Sequence, residues 1–140
     1  MSATTSDFLY RAQMDQVLKN VAIAGYASVW ISLHTGGGPD LSNPIGSLEV
    51  STSATNYGRV EVAVPGWSND SGLVYDNDAD IQFLVPSATW GTITYVGIYS
   101  AQTGADILFS AALTTSKVVN NGDGAPKILA GQLRIDRASC

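Results

Sequence analysis

The sequence predicts a mainly β fold, an antiparallel β-sandwich or jelly-roll-like domain with one N-terminal amphipathic α-helix. Short segments that alternate apolar and polar residues, rich in Val, Ile, Thr and aromatic side chains, recur along most of the chain. Clusters of Gly, Pro, Asn, Asp and Ser separate these segments, as turns do between neighbouring strands. A helical period is found only near the N-terminus, so the chain lacks the strand–helix alternation of a parallel α/β sheet.

The N-terminal segment predicts the helix. We expect residues 1–6 to form a flexible tail and residues 7–24 to be helical, with Thr5 or Ser6 as the N-cap and Gly25 as the C-cap. Because an amphipathic helix usually packs its apolar face on its own core, we favour that role over docking on a neighbouring subunit. The face follows helical spacing and comprises Tyr10, Met14, Val17, Leu18 and Val21.

Residues 26–137 are predicted to form the β-domain, so that residues 1–140 make up one domain. The loop that begins at Gly36 contains three consecutive glycines, a feature of phosphate-binding loops. No Lys-Ser or Lys-Thr pair and no helix pattern follow it, and we therefore interpret it as a surface loop. Strands are expected near residues 29–34, 57–64, 81–85, 92–99, 106–113 and 128–135.

Composition narrows the class of protein. Charged residues make up 14% of the chain, against about 25% in an average domain. Such a depletion is typical of surfaces that contact other subunits. The net charge is −5 and the basic residues are scattered, which excludes the basic stripe of a nucleic-acid-binding protein. The pattern predicts no membrane insertion and no secretory signal, and the single cysteine, Cys140, excludes a disulfide framework.

No catalytic residue and no cofactor are predicted. His34 is the only histidine, and no Gly-x-Ser-x-Gly motif accompanies it, so the sequence argues against a hydrolase with a nucleophile, a base and an orienting acid. One cysteine and one histidine do not supply the four ligands of a structural zinc site. The chain is therefore predicted not to be an enzyme.

A short acidic segment is the candidate metal site. Asp76, Asp78 and Asp80 alternate as the first ligands of a calcium loop do. The sixth position is Ile81, where that loop requires Gly, and the twelfth is Ser87, where it requires Glu. The alternation also fits acids that protect an edge strand from pairing. We therefore predict no bound metal.

Five residues are candidates for an interface. Tyr10 and Met14 lie on the apolar helix face, and Trp67 and Trp90 are large aromatic residues of the kind that fill a core, an interface or a sugar-binding platform. Gly97 lies inside a predicted strand, where a missing side chain permits close approach of another backbone.

A hairpin segment carries a family resemblance. Its most specific part is residues 90–99, Trp-Gly-Thr-Ile-Thr-Tyr-Val-Gly-Ile-Tyr. Through this segment the chain resembles the small tailed-bacteriophage virion structural proteins commonly labelled phage tail fibre proteins. The resemblance covers most of the chain. The other matching segments are residues 31–35, 49–51, 57–60, 81–83, 108–117 and 121–123.

The resemblance implies a non-enzymatic structural protein on the outer surface of a virion, made in the cytoplasm of the host bacterium. Because the chain has no heptads, no collagen repeat and no β-helix repeat, we predict a capsid decoration or cement protein that bridges capsid subunits and forms a homo-oligomer. The alternative is a tail fibre or baseplate subunit that attaches to host-surface glycans. In both cases the expected partners are phage capsid or tail proteins.

Overall fold

The computed structural model describes residues 3–23, 25–41, 48–63, 66–69 and 74–136. Within these ranges the chain forms ten strands and one helix. The predicted fold class, mainly β and antiparallel with one N-terminal helix, is confirmed. The elements are β1 (Ala3–Thr5), α1 (Asp7–Lys19), β2 (Ser28–Thr35), β3 (Val60–Ala63), β4 (Trp67–Ser68), β5 (Val74–Asn77), β6 (Ile81–Gln82), β7 (Gly91–Tyr99), β8 (Ile107–Val119), β9 (Lys127–Ile128) and β10 (Arg134–Asp136).

The largest sheet has five strands in the order β1-β8-β7-β2-β3, all paired antiparallel. Ile98 of β7 lies at its centre, opposite Ile31 of β2 on one side and Phe109 of β8 on the other. A three-stranded sheet, β10-β5-β4, and a two-stranded sheet, β6-β9, complete the described strands. Side chains alternate between the two faces of β2 and β7, so Ile31, Val96 and Ile98 lie on the same face and belong to one hydrophobic core. The smaller sheets also contribute residues to this core.

The N-terminal residues differ from the prediction. Residues 3–5 are not a flexible tail: they form β1, whose Ala3 pairs with Ala111 and whose Thr5 pairs with Phe109. The pairing satisfies backbone groups along part of the edge of β8, which explains why a short polar segment is ordered there. The first two residues of the predicted tail lie outside the described residues.

The helix begins where the sequence predicts and ends earlier. Ser6 is the N-cap, and its hydroxyl accepts a hydrogen bond from the backbone N–H of Leu9 (3.2 Å). The helix ends at Lys19 because Asn20 adopts a left-handed conformation, φ 56°, so the predicted end at residue 24 and the predicted cap at Gly25 are wrong. Among the residues that the structure describes, there is no helix long and apolar enough to cross a membrane.

Candidate interaction surfaces

Helix α1 exposes the apolar face that the sequence predicts to be buried. Val17 and Leu18 are each 75% exposed, Tyr10 is 58% exposed and Val21, just beyond the helix, is 54% exposed. We call these four residues the α1 stripe. Met14, the fifth residue of the predicted face, is half-buried. The favoured role of this face, packing on the chain's own core, is therefore wrong.

The helix contacts its own domain through a different side. Among the described residues of the helix, Leu9 alone is buried, and it lies about a third of a turn from the centre of the α1 stripe. The start of the helix is fixed to the rest of the chain by backbone hydrogen bonds from Ser6 to Leu108 (2.8 Å) and from Asp7 to Leu41 (3.2 Å). The α1 stripe is thus presented outward on an anchored helix.

A second apolar surface lies between the five-stranded and the three-stranded sheets. It is a groove of about 230 Å³. Trp67, an expected interface residue, lines it and is half-buried, while Tyr75 on β5 is largely exposed. None of the described residues that line the groove is charged. We call it the intersheet groove; it is formed by Val29, Trp67, Tyr75, Ile98, Phe109 and Ile135.

The sequence marks one residue of this groove, Trp67, as an interface candidate. The lining comes from six strands that are distant in the sequence, so no local pattern identifies it. Two of these strands, β4 and β5, lie in a segment that lacks clear alternation and does not predict a strand. The useful signal in that segment is the presence of two large aromatic residues, Trp67 and Tyr75.

Trp90 and Gly97 are buried within the chain. Trp90 is 5% exposed; its Nε1 donates to the carbonyl of Thr55 (2.8 Å) and its ring packs edge-on against Tyr57. A Cβ placed on Gly97 would lie 2.5 Å from Ser32 Oγ, a neighbour within the chain's own sheet. Both residues are therefore packed within the chain's own fold, and their expected place at an interface stays a prediction.

A buried charged pair lies beside β3. Arg59 donates from Nε to Glu49 Oε1 (2.9 Å) and from Nη2 to Glu49 Oε2 (2.8 Å). Its Nη1 donates to the carbonyls of Ala101 and Gly104, both at 2.9 Å, and its guanidinium lies 3.6 Å from the centre of the Tyr99 ring. The pair therefore fixes the turn that follows β7.

The pKa values of Tyr57 and Arg59 are both raised, for different reasons. Burial, followed by the nearby Glu49 carboxylate, raises the pKa of the Tyr57 hydroxyl, which donates to Glu49 Oε1 (2.9 Å). Burial alone would lower the pKa of Arg59, but the hydrogen bonds and the charge of Glu49 outweigh it and raise that pKa. Tyr57 and Arg59 therefore keep one protonation state near neutral pH, which suits a structural role rather than proton transfer.

Ser32 and His34 form a pair that superficially resembles part of a hydrolase site. Ser32 Oγ and His34 Nε2 lie 2.8 Å apart, and the imidazole stacks against Tyr99 with ring centres 6.1 Å apart. Both side chains are completely buried, so a substrate has no access to the hydroxyl. The arrangement fills the interior of the sheet.

The three aspartates of the candidate metal site have separate roles. Asp80 accepts from the backbone N–H of Ala130 (2.9 Å) and from Lys127 Nζ (3.4 Å), and Asp78 accepts from the Ser68 hydroxyl. Asp76 lies on β5, half-buried. Among the residues that the structure describes, no group of three or more His, Cys, Asp or Glu side chains is arranged to hold a metal ion.

Comparison with protein families gives a match over almost the whole chain. The family model described as Podophage GP4 fiber I protein gp80 matches residues 4–136, a range that contains both the α1 stripe and the intersheet groove. The comparison with curated proteins gives no match.

Proposed function

Since the chain belongs to the podophage GP4 fiber I protein gp80 family, a family of phage fibre structural proteins, we propose that it is a non-enzymatic subunit of a tail fibre on the outer surface of the virion. The observation that carries the proposal is the family match over residues 4–136, and the α1 stripe, an exposed apolar surface on an anchored helix, is consistent with it. Contiguous exposed apolar surface usually marks a site of protein–protein contact. A fibre subunit requires such contacts with other virion proteins.

The family match supports the fibre alternative over the capsid decoration role that the sequence favours. The preference for the capsid rests on the absence of heptads, collagen repeats and β-helix repeats. These repeats build long shafts, and their absence argues only that this chain is not itself a shaft. A compact β-domain fits an end or an attachment point of a fibre.

The buried polar groups support a non-enzymatic role. Arg59 donates four hydrogen bonds within the chain, to Glu49, Ala101 and Gly104. The His34 imidazole is enclosed beside Ser32. Catalysis would require an accessible nucleophile and base, and the polar groups described in these clusters are engaged in holding the fold.

Attachment to host-surface glycans remains a prediction. A platform of exposed tryptophans would favour it, because sugars stack on aromatic faces. Trp90 lies in the core, and Trp30 and Trp67 are half-buried on different strands. The tryptophans of the described chain therefore give this role no particular support.

Immunogold labelling of intact virions with antibodies against this chain tests the proposed location. Labelling of the tail fibres is expected, with antibodies against a capsid protein as the control for labelling of the head. Labelling distributed over the capsid would overturn the fibre proposal and favour a decoration protein. Labelling of neither structure on intact virions would exclude an outer-surface position.

A further inference from the structure

We propose that an apolar pocket between the five-stranded sheet and the β6-β9 sheet binds an aliphatic side chain from an acidic segment of another virion protein. This inference rests on the proposed function and deepens it, since it gives a fibre subunit one kind of partner. The pocket has a volume of about 80 Å³. We call it the lysine pocket; Lys117 and Lys127 line it together with a set of apolar residues that includes Leu33, Phe83, Ile93 and Leu113.

The exposed residues of the lysine pocket are its two lysines. Every other residue described as lining it is apolar, and each of these is buried or half-buried. Lys117 lies on β8 of the five-stranded sheet and Lys127 lies on β9 of the two-stranded sheet, so each sheet contributes one lysine. The mouth of the pocket therefore lies at the lysines, and its interior is hydrophobic. Lysine side chains suit this position, because their methylene stems extend an apolar wall while their ammonium groups stay in water.

A bulge in the pairing of β7 with β8 lies at the pocket. Between two regular stretches of this pairing, residues 113–116 of β8 lie opposite the single residue Thr94 of β7. Leu113 begins the bulge and Lys117 follows it, and both line the pocket. Bulges redirect side chains and are over-represented beside functional sites. The pocket is thus formed at a local departure from the regular sheet.

The charge at the mouth selects an anionic partner. The chain has a net charge of −5 and three lysines, two of which line this pocket. Lys127 has a counter-charge in Asp80, with Nζ 3.4 Å from Oδ2, whereas no described residue forms an ion pair with Lys117. A carboxylate next to the bound side chain would gain an ion pair with Lys117, and a cationic segment would be repelled.

The volume restricts which side chain enters. An apolar cavity of about 150 Å³ holds a benzene molecule. A pocket of about 80 Å³ is too small for an aromatic ring and has room for the branched end of a Leu, Ile or Val side chain. The long chain of a fatty acid does not fit either. A carboxylate attached close to a short aliphatic group, as in an acidic peptide segment, is therefore the occupant that matches both size and charge.

One such contact is weak by itself. A single aliphatic side chain and one exposed ion pair give a dissociation constant on the order of 1 mM. Repeated copies on an assembled virion would act together and strengthen the attachment.

NMR spectroscopy of the folded chain tests the site with a short peptide as the probe. Acetyl-Gly-Asp-Leu-Asp-Gly-amide is titrated while the methyl signals of Leu33, Ile93 and Val96 are followed, since these residues line the pocket. The signals are expected to shift with a dissociation constant on the order of 1 mM, and binding should weaken as salt is added. Two matched peptides, one with Ser in place of Leu and one with Lys in place of both Asp residues, should leave the signals unchanged.

Lys117→Glu tests the mouth of the pocket without disturbing the core, because the side chain is exposed. Reversal of its charge is expected to weaken binding of the probe about fivefold or more. Lys19→Glu is the matched control, since it makes the same change of charge at an exposed lysine that does not line the pocket. Its affinity for the probe should stay within about twofold of that of the parent chain.

Four outcomes would overturn the proposal. No shift of the pocket signals with any peptide would show that the space is a packing cavity only. Equal shifts with either matched peptide would show that the aliphatic side chain or the charge is not recognised. Equal weakening by Lys117→Glu and Lys19→Glu would reduce the effect to net charge. Pocket signals that change with the concentration of the chain alone would assign the site to a second copy.

The labelling of virions depends on none of these spectra. A pocket that fails to bind the probe leaves labelling of the tail fibres as expected, whereas labelling of the capsid would overturn the fibre proposal and leave the spectra unchanged. The two failures are therefore distinguishable.

Discussion

The Arg59 guanidinium and the Glu49 carboxylate face each other edge to edge, with Nε 2.9 Å from Oε1 and Nη2 2.8 Å from Oε2. Both side chains are mostly buried. The pair joins the residues before β3 to the turn after β7 through the carbonyls of Ala101 and Gly104. The pair therefore holds together segments that lie far apart in the sequence.

Glu49→Gln is expected to destabilise the fold by about 3 kcal/mol, because it leaves the buried Arg59 charge without its counter-charge. Denaturant unfolding followed by circular dichroism measures the loss. Lys19→Met is the matched control, since it removes the exposed ion pair between Lys19 and Asp15 and should cost less than about 0.5 kcal/mol. Equal losses of unfolding free energy in the two variants would show that the Arg59–Glu49 pair stabilises the fold no more than an exposed ion pair does.

Gly97→Ala is expected to destabilise the chain by about 1–3 kcal/mol, because the added methyl group would lie 2.5 Å from Ser32 Oγ and 2.8 Å from His34 Nε2. Gly124→Ala is the control, since a methyl group added there would have no atom within 4 Å and the change should be neutral or slightly stabilising. Thermal unfolding of both variants measures the difference. A Gly97→Ala variant as stable as the parent chain would disprove the internal packing role.

Gly97 also illustrates what the sequence can and cannot predict. A glycine within a β-branched strand signals close approach, and that inference is sound. The sequence does not say which atoms approach, because the register between β2 and β7 decides it: Gly97 faces Ser32 across the pair. The same register buries both faces of the end of β7, whereas simple alternation predicts one buried and one exposed face.

The helix shows the same division between local and long-range information. Its start follows from Ser6, since a serine before an apolar period is a local cap signal. Its end is set by Asn20, which adopts a left-handed conformation. Asn20 and Gly25 are both residue types that can end a helix in this way, and the spacing of apolar residues does not show which of them does so. The outward direction of the α1 stripe depends on how Leu9 meets the rest of the domain, which is a tertiary contact.

The acid stability of the chain is expected to depend partly on Asp80. The hydrogen bond from the Ala130 backbone, followed by that from Lys127, lowers the pKa of this carboxyl from its ordinary value of 3.8. Because the folded-state pKa is lower than the unfolded one, the stabilisation is complete above the unfolded pKa and is lost as pH falls through the folded one. Asp80→Asn should therefore lower the melting temperature at pH 7, and the difference from the parent should narrow below about pH 4.

Thermal unfolding between about pH 7 and about pH 2.5 measures this dependence. Lys127→Met is the informative companion, since it removes only the lysine and leaves the bond from Ala130, the larger cause of the pKa shift. Lys127→Met should retain most of the parent chain's difference in melting temperature between neutral and acid pH. A constant gap between Asp80→Asn and the parent at every pH would show that the carboxyl charge does not contribute.

Ser6→Ala is expected to destabilise α1 by about 1 kcal/mol, because the buried hydroxyl of Ser6 accepts the hydrogen bond of the Leu9 backbone N–H. Ser6→Thr retains a capping hydroxyl and is the matched control. Far-ultraviolet circular dichroism measures the helical content, and denaturant unfolding measures the stability of the chain. A loss of helical content and stability in Ser6→Ala that Ser6→Thr does not share would show that the hydroxyl of residue 6 holds the start of α1. A Ser6→Ala variant with the helical content and stability of the parent chain would show that the cap does not contribute.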